Sequence, residues 1–308
     1  MKLNKLTGRW FINQVHGQSV LYTTNLGSRL RFDITGACKI TVNVLDNRHS
    51  LSPSQFYAWR LNNGPWHREA AQNLHWSISC SADTHQLEIM TAGNTDFDQV
   101  WSGKQGFALS SIVLDEGVLS PAPALPTINF IGDSITAGCW VNGRHASYDY
   151  RPETNYIGLA VEQVGVSEVR IAYSAGGVLR QATGGVPVAK DFLLQLDQDH
   201  PWIPNSPILT VVNLGVNDRS FAPDLFAKNY NEFISLVEHT FPKSKLALMI
   251  PFSQTFAEII REVATTHQLP LIETAGWCTS YTDNLHPNQV GAKESAHYLA
   301  PLLAKLIK

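Results

Sequence analysis

The chain has 308 residues, 44% of them hydrophobic and 16% charged, with a net charge of −3. That composition suits a globular protein with room for two ordinary domains, and so mild a charge gives no broad attraction for nucleic acid or an anionic membrane. No stretch approaches the roughly 20 apolar residues of a membrane span, the first nine residues carry no apolar run of signal-peptide length, and the four cysteines (Cys38, Cys80, Cys139, Cys278) show no CxxC spacing, so free thiols in the cytoplasm are expected.

The first 120 residues break into short β-rich runs: Ser19–Thr24, Leu30–Thr35, Lys39–Leu45, Gln55–Leu61, Leu74–Ser79, Gln86–Met90 and Phe107–Leu114. Turn signals such as Asn25-Leu26-Gly27 and Asn62-Asn63-Gly64-Pro65 separate them. Ile40-Thr41-Val42-Asn43-Val44 alternates apolar and polar, the period of a strand with one face buried. Short strands without a clear helix predict an all-β N-terminal domain, a sandwich of jelly-roll type, over residues 1–120. Five of the eight tryptophans (Trp10, Trp59, Trp66, Trp76, Trp101) fall here and are expected to fill the core and the domain interface rather than form a sugar surface. His67, His75, Asp96 and Asp98 lack the spacing of metal ligands and read as solvated loop residues.

Residues 121–126, Pro121-Ala122-Pro123-Ala124-Leu125-Pro126, form a stiff proline-rich linker. Beyond it the pattern changes. Apolar strands at Thr127–Ile131, Val169–Tyr173, Ile208–Asn213, Leu246–Ile250 and Pro270–Ile272 alternate with helical stretches near Glu153–Val164, Val188–Leu196, Pro223–His239, Gln254–His267 and Asn288–Leu306. In the third helix Leu225, Phe226, Tyr230, Phe233, Ile234 and Val237 recur at helical spacing. Residues 127–308 are therefore predicted to be a three-layer α/β domain around a five-stranded parallel sheet, with the flavodoxin-like order 2-1-3-4-5 as one common solution.

Ligands in such sheets bind beyond the carboxyl ends of the strands, and four short segments fall there. They are Gly132-Asp133-Ser134-Ile135, Ser174-Ala175-Gly176-Gly177, Gly215-Val216-Asn217-Asp218 and Asp283-Asn284-Leu285-His286-Pro287. Alone, Ser134 is either a helix cap or a nucleophile, and Asn217 could be only a turn residue. Asp133 and Asp218 read as carboxylates that shape their loops by accepting backbone N–H groups. Ala172-Tyr173-Ser174-Ala175-Gly176 nearly matches a G-x-S-x-G elbow, but an upstream HGGG-type loop is missing, which argues against Ser174 as the nucleophile.

Together and in this order, the four segments resemble the SGNH hydrolases, the GDSL esterase/lipase superfamily. The resemblance covers the whole second domain and implies a serine esterase that needs no metal or organic cofactor. A serine hydroxyl needs a base to become nucleophilic. His286 fits that role, with Asp283 three residues earlier to orient the imidazole. The family pattern implies an oxyanion hole made by the Ser134 N–H, the N–H of Gly176 (or Gly177) and the Asn217 amide.

A β-sandwich joined by a short linker to such a domain further resembles the carbohydrate esterases of family 2. That resemblance implies removal of O-acetyl groups from a small acetylated oligosaccharide or monosaccharide, with Trp140 and Trp277 placed to stack on a sugar or simply to pack a wall. The other readings are a lipase or thioesterase, a sugar acyltransferase with the same residues, and a carbohydrate-binding protein with a vestigial site. The only expected partner is the substrate, without nucleic acid or membrane, and nothing in the sequence speaks to oligomeric state.

Overall fold

The computed structural model describes residues 8–308. Residues 1–7, most of the stretch that carries no apolar run of signal-peptide length, lie outside the described residues. The first domain contains strands β1 (Phe11–Val15), β2 (Gln18–Thr23), β3 (Arg29–Thr35), β4 (Lys39–Leu45), β5 (Phe56–Leu61), β6 (His67–Ala70), β7 (His75–Ser79), β8 (His85–Gly93), β9 (Phe107–Leu114) and β10 (Val118–Pro121). They form two antiparallel sheets, β1-β2-β9-β4-β7 and β10-β3-β8-β5-β6. Within these, β2-β9-β4-β7 and β3-β8-β5-β6 have the eight-strand jelly-roll order, and β1 and β10 extend one edge of each sheet. Alternation decides the core: Leu30, Phe32 and Ile34 of β3 and Ile40, Val42 and Val44 of β4 turn inward, while Thr41 and Asn43 face outward.

Three of these strands carry no clear signal in the sequence. β1 and β6 are interrupted by polar residues, and β10 contains Pro121. All three are outermost strands, where one neighbour supplies the pairing and a missing N–H is tolerated. Strand β10 therefore runs one residue into the expected 121–126 segment, and Pro121 pairs with Phe32 of β3.

The second domain contains β11 (Thr127–Gly132), α1 (Ser134–Ala137), α2 (Tyr156–Val164), β12 (Ser167–Ala172), α3 (Ala189–Leu194), β13 (Leu209–Asn213), α4 (Pro223–Thr240), β14 (Lys245–Met249), α5 (Ala257–Thr266), β15 (Leu271–Ile272) and α6 (Gln289–Leu306). The parallel order β12-β11-β13-β14-β15 is 2-1-3-4-5. Successive strand residues feed opposite layers. Ile131, Val212 and Leu248 pack with α3, α4 and α5, whereas Phe130, Val211 and Met249 pack with α2 and α6. Two local differences stand out. Asn155 caps α2 by accepting the Gly158 N–H at 3.0 Å, so the expected helix from Glu153 is split into a 3-10 turn and α2. Leu225 lies off the buried stripe of α4 and is exposed. Among the described residues no helix is long and apolar enough to cross a membrane.

The domains meet through buried polar side chains. Arg9 donates to the Phe192 carbonyl at 2.8 Å and Asn25 to the Ala172 carbonyl at 3.1 Å. Thr24 bonds the Tyr173 hydroxyl at 2.7 Å. Arg29 pairs with Glu88 of its own domain at 3.3 Å and with Glu168 of the other at 3.0 Å. Burying so many polar side chains is tolerable because each makes at least one such bond, although Arg9 Nε, Arg29 Nε and Glu168 Oε2 are left without a hydrogen-bond partner.

Candidate active site

At the end of β11 the chain turns through Asp133 into α1. The Asp133 carboxylate accepts the Ile135 N–H at 2.9 Å and caps this single helical turn. Burial pushes Asp133 up to about 7 against that bond, and nearby Asp218 adds to the effect. The cap sets Ser134 at the first helical position, where its N–H has no helical carbonyl to bond.

Ser134 Oγ lies 2.8 Å from His286 Nε2, and His286 Nδ1 lies 2.8 Å from Asp283 Oδ2. With Nδ1–H donating to the carboxylate, Nε2 is left as the acceptor for the serine hydroxyl. The other Asp283 oxygen accepts the His286 N–H at 2.8 Å and the Leu285 N–H at 3.2 Å, so one side chain both folds the loop and aims the ring. Burial lowers the His286 pKa below the ordinary histidine value, and Asp283 opposes that shift. At Asp283 burial opposes charge, but the His286 N–H and imidazole outweigh it and hold the carboxyl below its usual range.

Asn217 stands in the 3-10 turn Val216–Asp218 after β13 and donates from Nδ2 to the Gly176 carbonyl at 3.0 Å. One hydrogen of its amide remains for another acceptor. Neither glycine N–H is idle. That of Gly176 closes a turn onto the Tyr173 carbonyl at 3.1 Å, and that of Gly177 reaches the Arg180 carbonyl at 3.0 Å. Asp218 ties the two loops together by accepting the N–H groups of Val178, Leu179 and Arg180 at 2.9–3.0 Å. A Cβ at Gly177 would sit 2.4 Å from Asp218 Oδ1, so only glycine admits this approach.

The Trp140 ring lies 6.2 Å from the His286 ring and edge-on to Tyr150. Trp277 stacks on Tyr298 of α6 and makes no aromatic contact with His286 among the described residues. The Ser174 hydroxyl has no histidine partner among the described residues, unlike that of Ser134. Two residues with no clear signal in the sequence are buried supports of neighbouring segments. Asp98 is fully buried rather than solvated and braces its loop by accepting the His49 and Thr95 N–H groups at 2.7 and 2.9 Å. Arg170 is buried beneath α1 and donates to the Thr136 and Ala137 carbonyls at 3.3 and 3.4 Å.

A serine, an imidazole and a carboxylate in line at the strand ends of a three-layer sheet form the arrangement that serine hydrolases use, and the family match makes the class that of carboxylic ester hydrolases. The model of the GDSL-like lipase/acylhydrolase family matches residues 130–293, more than half of the chain, and the chain belongs to that family. Its fold is similar to a family two carbohydrate esterase from Clostridium thermocellum in complex with cellohexaose (TM-score 0.79, 17% identity, 97% of this chain and 98% of that one). It is also similar to a family two carbohydrate esterase from Cellvibrio japonicus (0.79, 15%, 98% and 94%). A third, from Corynascus thermopiles (Myceliophthora fergusii), is a family 2 enzyme plus carbohydrate binding domain (0.77, 18%, 98% and 98%). At these identities the likeness is one of fold, and it spans both domains. No curated protein sequence matches the chain.

Proposed function

We propose that this hydrolase is a serine acetylesterase that removes O-acetyl groups from oligosaccharides or monosaccharides. The observation that carries the reading is the hydrogen-bonded line Ser134, His286, Asp283, with both links at 2.8 Å. Ser134 Oγ attacks the acetyl carbonyl carbon while His286 Nε2 takes its proton. Asp283 stabilises the imidazolium. The tetrahedral oxyanion is held by the Ser134 N–H and the free hydrogen of the Asn217 amide. The Gly176 N–H joins them only by sharing its hydrogen with the Tyr173 carbonyl. Collapse expels the sugar oxygen, which takes the proton from His286. Water, deprotonated by the same nitrogen, then releases acetate from Ser134.

The carbohydrate part of the reading is supported by the two-domain likeness to family two carbohydrate esterases, one of which holds cellohexaose. Trp140 beside His286 supplies an aromatic wall for a sugar ring. The test is acetate release from a panel of acetylated sugars. Ser134→Ala is expected to lower kcat by about 10⁴–10⁶-fold, and full activity in that variant overturns the assignment. A preference for octanoyl over acetyl esters would point to a lipase or thioesterase. Acetyl groups appearing on an added sugar instead of free acetate would point to a transferase.

A further inference from the structure

Between β8 and β9 the jelly roll sends out the loop Asn94-Thr95-Asp96-Phe97-Asp98. Asn94, Thr95, Asp96 and Asp98 form one wall of a cleft whose other wall is Ala137 at the end of α1 with Ser174, Thr183 and Gly184 from the loop after β12. The loop is braced from below by Asp98 and by a 2.6 Å bond between Thr95 and Ser52. Asp96 is exposed at its tip. Oδ1 accepts the Thr183 hydroxyl at 2.9 Å, while Oδ2 has no partner among the described residues. The carboxylate lines the same cleft as Ala137, the last residue of the helix that begins at Ser134, and its charge favours the protonated form of His286 and raises the Cys139 thiol behind α1. Next to it Phe97 is 57% exposed and stacks on His49, leaving an open aromatic face.

We propose that Asp96 is a substrate-binding residue, its free Oδ2 accepting hydroxyl hydrogens of the sugar whose ester sits at Ser134, with Phe97 lining the same subsite. The first domain thus supplies part of the substrate site of the second. The assignment rests on the reading of the site as a sugar esterase, and it narrows the substrate to one with free hydroxyls beside the ester. The chemistry separates substrate classes. A pyranose offers hydroxyl donors along its edge to a carboxylate and C–H groups on its face to an aromatic ring. A long acyl chain would strip water from Asp96 and return nothing.

The experiment compares kcat/KM for a mono-acetylated sugar with that for p-nitrophenyl acetate, whose leaving group has no hydroxyl donors besides the one being released. In Asp96→Asn and Asp96→Ala the ratio of the two is expected to fall about ten-fold or more, the size of a lost hydrogen bond to a charged group. Any effect that passes through His286 moves both esters together and cancels in the ratio. An unchanged ratio in both variants, with the wild type active on the sugar ester, overturns the role of Asp96 alone. A wild type that cleaves p-nitrophenyl acetate through Ser134 but no sugar ester overturns the sugar-esterase reading, and this assignment with it.

Discussion

Burial and the carboxylates of Asp283 and Asp96 set the proton affinity of His286, and they pull in opposite directions. Burial lowers it, Asp283 raises it, and burial wins. As the base of the proposed mechanism His286 works only when neutral, so activity is expected to rise as pH climbs through this lowered value. The acid-side midpoint of kcat/KM is therefore expected below the ordinary histidine value of about 6.5. Removing the raising influence in Asp283→Asn shifts that midpoint further to the acid side, while kcat falls by up to about 10⁴-fold because the ring loses its orienting acceptor. A pH–rate profile of both proteins checks this, and a midpoint moving toward alkaline pH in the variant contradicts it. Asp283 and His286 are legible together because one four-residue stretch of a loop holds both. Asp96 is not, because its partner Thr183 is 87 residues away and only the docking of two domains brings it to the site.

Helix α1 has four residues, too few to persist by itself. It is held by Asp133 at its start, by Asn155, which donates to the Ile135 and Thr136 carbonyls at 3.2 Å, and by Arg170 at its last carbonyls. Arg170 also donates to the Pro152 carbonyl at 2.7 Å and lies 3.4 Å from Glu168. Replacing it in Arg170→Met leaves those carbonyls without their donor and Glu168 with one cation fewer. A loss of about 3–5 kcal/mol is expected, the usual cost of removing one member of a buried ion pair. Urea denaturation measures it, and an unchanged midpoint contradicts the structural role. The strands β11 to β15 are legible as apolar runs since both faces are buried, whereas β1, β6 and β10 take their shape from a single neighbouring strand. Arg170 reads as an ordinary polar interruption of β12, because its acceptors are supplied 34 residues earlier in the chain.

Across the molecule, the seam between the domains is charged and buried. Arg29 and Arg60 share Glu88 on the jelly-roll side, and they reach Glu168 and Glu162 on the other at 3.0 and 2.8 Å. Arg68 pairs with Glu153 at 2.7 Å. Separating the domains would expose these groups and the Thr24–Tyr173 bond at once, so the whole chain is expected to unfold in one transition by calorimetry. Two well-resolved transitions, or a fragment beginning at Thr127 with full esterase activity, would contradict that expectation.

Gly27 sits at the middle of this seam with φ +74, and a Cβ there would lie 2.6 Å from the Arg170 side chain that supports α1. The loop of one domain thus fits the arginine of the other with no room for a different residue. Exchanging modules by cutting and rejoining at the prolines would therefore not transplant a working catalytic half. A chimaera would have to bring its own glycine at that turn and its own counter-charge for Glu168, so the heritable unit in recombination is the pair of domains with the seam intact.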